Sequence, residues 1–131
     1  MTESNEGARG ELAIRTLAMP KDANPDGDIF GGWLMSQMDV AGATVAIARA
    51  QGRVVTVAVE AMSFDQPVFV GDQLSCYGTI ERVGRTSIRV RVAAWARRGR
   101  GAVEEQVTEG VFTYVAVGDD RRPRVVPPEK P

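Results

Sequence analysis

The sequence predicts an α+β domain in which an antiparallel sheet of five or so strands wraps around one long central helix. Three observations predict it. Residues 28–50, DIFGGWLMSQMDVAGATVAIARA, open on a glycine pair, and beyond that pair only Asp39 and Arg49 carry charge. Four later segments, 54–62, 73–83, 87–96 and 106–117, are rich in β-branched residues and joined by short turn signals. The chain of 131 residues is long enough for one core and too short for two.

Taken in order, residues 1–10 are polar and are expected to lack structure, and the stretch MTESNEGARGE has no apolar core of the kind a signal peptide needs. The expected address is therefore cytoplasmic. Residues 12–19 read as a first strand ended by Pro20. The loop 21–28, KDANPDGD, is dense in turn formers, and Asp22, Asn24, Asp26 and Gly27 match positions one, three, five and six of a calcium loop. The match fails at the twelfth position, where Trp33 stands in place of a bidentate Glu, so no metal site is expected.

The helix that follows carries Phe30, Leu34, Met38, Ala41, Val45 and Ala48 as one stripe. Trp33, Met35, Val40 and Ile47 lie on the other sides. It lacks a polar face and needs cover on most sides, which a curved sheet supplies. Its length would suit a bilayer, about 20 residues. Its glycines, Ser36, Gln37, Thr44 and central Asp39 argue against that, since Asp at mid-membrane costs roughly 2.5 to 3.5 kcal/mol.

Gln51 and Gly52 stop the helix. The strand 54–62 follows, Gly71 and Asp72 turn into 73–83, and Gly84 and Arg85 reverse the chain into 87–96. In that last strand Ile88, Val90, Val92 and Ala94 alternate with Arg89, Arg91 and Trp95, so one face meets the helix. Residues 97–101, RRGRG, read as an exposed basic turn. The tail 118–131 is rich in proline and charge and is expected to hang free, leaving 11–117 as the domain.

The chain has no histidine, which removes the Ser-His-Asp triad, the Cys-His dyad and His metal sites. Its chemistry must run on carboxylates, amides, hydroxyls and backbone dipoles. With 16 basic and 17 acidic residues it shows no global nucleic-acid signature, and the single Cys76 excludes an intrachain disulfide. Asp39 is the residue to explain, because a carboxylate among hydrocarbon must be hydrogen-bonded, altered in its ionisation or chemically employed. Glu60, alone in an apolar strand, is a second candidate carboxylate or an interface ion-pair member. Ser36 has no base partner to make it a nucleophile. Trp33, Met35 and Met38 are core and interface residues or the lining of an apolar tunnel.

The run Asn24, Gly27, Asp28, Ile29, Phe30, Gly31, Gly32, Trp33, then Met35, Ser36, Gln37, Met38 and Asp39, resembles the signature of the hotdog-fold acyl-CoA thioesterases of the YciA-like group. Further matches lie at 16–20 (TLAMP), 52–60 (GRVVTVAVE), 76–78 (CYG), 83–87 (VGRTS) and 111–117 (VFTYVAV), so the resemblance covers 15–117. It implies hydrolysis of acyl-CoA to a free acid and CoA without a metal or cofactor. It also implies dimers, often a trimer of dimers forming a hexamer. It carries over Asn24 and Asp39 as catalytic positions. Pro25 is a departure, confining Asn24 to extended backbone.

Gly31 and Asp39 are eight residues apart, roughly 12 Å along a helix at 1.5 Å per residue. If the amides of Gly32 and Trp33 bind the oxyanion, with Gly31 allowing close approach, and Asp39 is base or nucleophile, the two must come from different subunits. The reaction centre is then shared across a two-fold. Asn24 would position water or carbonyl. Arg85, Thr86 and Ser87 are candidates for CoA phosphate or pantetheine, and the backbone of Thr56 and Val57 for the pantetheine amides. Two other readings of the same chain are an acyl-CoA binding or sensing module, and a thioesterase acting on acyl-carrier-protein substrates.

Overall fold

A computed structural model describes residues 9–99 and 103–130. Strand β1 (Glu11–Leu17) leads through a 3₁₀ turn (Pro20–Asp22) and a loop into helix α1 (Gly31–Ala50). Strands β2 (Val54–Phe64), β3 (Gln73–Val83), β4 (Ser87–Arg97) and β5 (Glu105–Ala116) follow. They form one antiparallel sheet in the order β1-β3-β4-β5-β2, and all five strands touch helix α1. Among the described residues no helix is long and apolar enough to cross a membrane.

The alternation read from β4 holds: Ile88, Val90, Val92 and Ala94 are buried against the helix together with Cys76 of β3 and Phe112 and Tyr114 of β5. Arg89 and Arg91 stand on the outer face, paired with Glu60, Glu81 and Glu109. These exposed pairs stabilise little, since water screens them. Glu60 is thus an ion-pair member on the sheet exterior.

On α1 the buried positions are Leu34, Met38, Ala41, Gly42, Val45, Ala46 and Ala50. The expected stripe is right at Leu34, Met38, Ala41 and Val45 and wrong at its ends, because Phe30 and Ala48 are exposed. The sheet covers one side only. On the other side Val40 and Ile47 are bare, and edge strand β2 exposes Val55, Val57 and Val59.

The free tail expected for 118–131 is not what residues 118–130 show. The Arg124 amide donates to the Ala116 carbonyl at 2.9 Å and the Val126 amide to the Arg85 carbonyl at 2.8 Å, and Val126 is buried in the core. The guanidinium of Arg124 reaches the carbonyls of Ala50 at 2.9 Å and Val117 at 3.2 Å, and Arg49 donates to the carbonyl of Pro127 at 2.6 Å. A helix ends on carbonyls without intrahelical partners, and Arg124 satisfies one of them, which ties the tail down despite its polar composition. Likewise, the expectation of disorder for 1–10 lies outside the described residues except at Arg9 and Gly10. Arg9 stacks over Trp95 and pairs with Glu104 at 2.6 Å. Of the basic turn 97–101, residues 100 and 101 fall outside the described residues. Arg98 covers the ring of Phe69 and donates to the Pro67 carbonyl at 2.7 Å.

Candidate active site

Asp39 sits at the middle of α1, half-buried where the helix passes strands β5 and β2. Its Oδ1 accepts a 2.8 Å hydrogen bond from the Thr56 hydroxyl and a 3.1 Å contact from the Tyr114 hydroxyl. The same phenol donates to the Asp39 backbone carbonyl at 2.8 Å. Thr56 and Tyr114 are directly paired across β2 and β5, which is why both hydroxyls arrive at one carboxylate. Asp39 Oδ2 takes no hydrogen bond among the described residues. Burial, and secondarily the neighbouring Asp39 charge, push the Tyr114 phenol well above its ordinary value, so it remains a proton donor.

Gly42, one turn beyond Asp39, makes this approach feasible. A β-carbon there would overlap the Tyr114 hydroxyl and lie 3.1 Å from Cζ of the ring. A glycine inside a helix costs about 1 kcal/mol relative to alanine, and the close approach of Tyr114 accounts for it. Neither Tyr114 nor Gly42 is singled out by sequence reasoning. The mid-helix glycine was the available signal, but its counterpart lies 72 residues away.

The helix start forms a second group. Phe30 at the cap offers no side-chain acceptor, and the first turn holds no acid. The first amide hydrogen bond closing the helix is Leu34 to Phe30 at 3.2 Å, so the amides of Gly31, Gly32 and Trp33 have no intrahelical partner. Gly32 is exposed, and nothing lies within 4 Å of where its β-carbon would be. A groove of about 370 Å³ opens beside this turn, lined by Gly31, Leu34, Phe64, Gln66 and Val68 among others. An uncapped helix start of this kind attracts an anion or a polarised carbonyl oxygen.

Asn24 uses its side-chain oxygen to accept from the amides of Asp26 at 2.9 Å and Asp28 at 3.0 Å, which folds the loop leading into the helix. Its side-chain amide has no partner among the described residues. The loop is anchored by Phe30 donating to the Asp22 carbonyl at 3.0 Å and Ile29 to Val68 at 2.9 Å. Arg85, Thr86 and Ser87 lie at the opposite end, where the helix finishes: Thr86 accepts from the Ala116 amide and Arg85 from Val126, both at 2.8 Å. The Arg85 side chain is exposed.

The residues singled out in the sequence therefore fall into three groups along one helix: Asn24, Gly31, Gly32 and Trp33 at its start, Asp39 with Thr56 at its middle, and the 85–87 turn near its end. A single chain does not bring them together. The expectation for Thr56 concerns its backbone; its side chain donates to Asp39 Oδ1 at 2.8 Å. Val57 is the bulged residue between the Thr56 and Ala58 pairings, unpaired with β5 and 55% exposed. Among the described residues no group of three or more Cys, Asp and Glu side chains is placed to hold a metal ion.

The family profile described as the thioesterase superfamily matches residues 26–103, from the loop before the helix through β4 to just short of β5. The chain belongs to that superfamily. A thioesterase relative from Salmonella typhimurium, the acyl-CoA thioester hydrolase YciA, is 49% identical over 130 residues, covering 97% of this chain and 98% of its own. Among solved structures, a hexameric thioesterase from Yersinia pestis is 51% identical, superposes with a TM-score of 0.88, and is aligned over 91% of this chain and 98% of its own. A hexameric hotdog fold thioesterase of Campylobacter jejuni is 41% identical with a TM-score of 0.86, covering 91% and 92%. The fold of this thioesterase-superfamily chain is accordingly the hotdog fold.

Proposed function

We propose that the chain hydrolyses acyl-CoA thioesters to a free carboxylic acid and CoA, in a reaction centre shared by two copies. Identity at 49% and 46% of aligned positions with acyl-CoA thioester hydrolases over almost the full length supports the activity. The observation that carries the shared site is the placement of Asp39. It lies on the open side of α1, one carboxylate oxygen tethered and the other without a hydrogen bond among the described residues, about 12 Å from its own helix start at 1.5 Å per residue. One thioester carbonyl cannot reach both.

In this reading two copies pair through edge strand β2 and the uncovered side of α1, where Val40, Ile47, Val55 and Val57 need cover. The thioester oxygen sits on the amides of Gly32 and Trp33 of one copy, whose partial positive charge stabilises the developing oxyanion. Asp39 of the second copy takes a proton from water, the hydroxide adds to the carbonyl carbon, and the C–S bond of the tetrahedral intermediate breaks. CoA leaves as thiolate and recovers the proton from Asp39, so no imidazole is needed. Direct attack by Asp39 to give a mixed anhydride uses the same geometry. Asn24, whose side-chain amide has no partner among the described residues, orients the water or the carbonyl. Arg85, Thr86, Ser87 and the bulge at Val57 hold the CoA moiety, and three such dimers form a hexamer.

The test is Asp39→Asn, nearly isosteric, assayed against a panel of acyl-CoA substrates with a thiol-trapping reagent. Loss of a general base predicts a fall in kcat on the order of 10² to 10⁴. Survival of hydrolysis within a few fold overturns the role of Asp39. Raised KM with little change in kcat for Arg85→Ala is the outcome expected of CoA binding, and an unchanged KM removes that contact.

A further inference from the structure

The structure assigns Tyr114 as a positioning residue for the reaction: its buried hydroxyl bridges the backbone carbonyl and Oδ1 of Asp39, fixing that side chain so that Oδ2 is the oxygen that meets water or substrate. The inference rests on the reading of Asp39 given above and goes beyond it, since it divides the work between the two carboxylate oxygens.

The geometry carries it. A phenol at 2.8 Å from the carbonyl and 3.1 Å from Oδ1 of one residue spans that residue's own backbone and side chain, which restrains both torsions of an aspartate. The Thr56 hydroxyl, at 2.8 Å from the same Oδ1, closes the cradle from the neighbouring strand. Oδ1 thereby receives the Thr56 proton and a share of the single Tyr114 proton, whose shorter bond goes to the carbonyl, while Oδ2 receives no donor among the described residues. A reacting group held by its surroundings needs no reorganisation at the moment of reaction.

The cradle is built at a cost elsewhere. Tyr114 has no exposed surface and stacks beside Phe112 with ring centroids 6.4 Å apart. Its hydroxyl enters the helix only because residue 42 has no side chain. A phenylalanine would satisfy the packing without needing a partner, and a tyrosine satisfied by the carbonyl alone would not need Oδ1 within reach. Because burial keeps the phenol protonated, the donor persists wherever the carboxylate is charged.

Tyr114→Phe replaces the hydroxyl by a ring hydrogen and so removes one oxygen and the only hydrogen-bond donor of the side chain. The loss of a buried hydrogen bond to a charged group predicts a kcat lower by roughly 10- to 100-fold. KM is expected to stay within about two-fold, with the melting temperature and particle size held, because the donor acts on the orientation of the Asp39 carboxylate and not on substrate affinity. Tyr114→4-aminophenylalanine, which restores an N–H donor, is expected to recover part of the rate. Wild-type kcat in the Phe variant, a rate loss that comes only with lost melting temperature or assembly, or a folded amino variant without recovery overturns the proposal. Asp39→Asn assayed alongside separates the two claims: if it stays active the reading of Asp39 has failed, and if it is inactive while Tyr114→Phe is normal only the role of Tyr114 has failed.

Discussion

The two sides of α1 are made of similar residues and meet different surroundings. On the inner side Leu34, Met38, Ala41 and Val45 are buried against β3, β4 and β5, and within one chain that side is complete. On the outer side Val40 is 54% and Ile47 46% exposed, beside an edge strand whose valines are bare on both faces. In the proposed dimer these apolar residues of the helix and the edge strand are the surface that the two copies share. The difference places Asp39 where the two sides meet: its backbone and Oδ1 are held by the inner side, and its free oxygen belongs to the outer one.

Charging the outer side tests this most severely. Ile47→Glu is expected to leave the fold of the single chain intact while breaking the assembly to monomers, read by sedimentation, with activity down by on the order of 100-fold or more as the shared site is lost. A variant that keeps both assembly and activity would make the outer side ordinary surface. On the inner side Met38→Ala removes a fully buried side chain and is expected to cost about 2 to 5 kcal/mol in denaturant unfolding.

A smaller effect sharpens the contrast through pH. Burial raises the Cys76 thiol from 9.0 to about 12, and Tyr114 is raised as well. The unfolded chain sheds these protons first, so the stability they contribute is intact below pH 9 and is lost as the pH climbs toward 12. The melting temperature should decline across that window, and less steeply in Cys76→Ala. Smallest of all is Arg89→Ala, on the outer face of the sheet, where water already screens the pairs with Glu60 and Glu81. No measurable change in melting temperature is expected there, and a clear one would mean that face is covered too.

Much of the fold was legible because its signals are local. The bounds of β3 were read at 73 and 83, where they lie, since Gly71 and Asp72 before it and Gly84 after it are turn signals that need no tertiary knowledge. Asp39 stood out for the same reason, as a lone carboxylate in an apolar run. The tail misled because composition describes what a segment can do alone. Arg124 meets the Ala50 carbonyl only after the helix has ended beside it.

Residue order alone determined the element sequence, the inner-facing alternation of β4 and the lone carboxylate in the middle of the helix, because each follows from spacing along a short stretch of chain. Tertiary structure alone decided which half of the helix the sheet covers, that Thr56 and Tyr114 converge on one carboxylate oxygen, and that Gly42 leaves room for a phenol. Those depend on strand register, and register brings together residues whose separation in sequence carries no periodic trace.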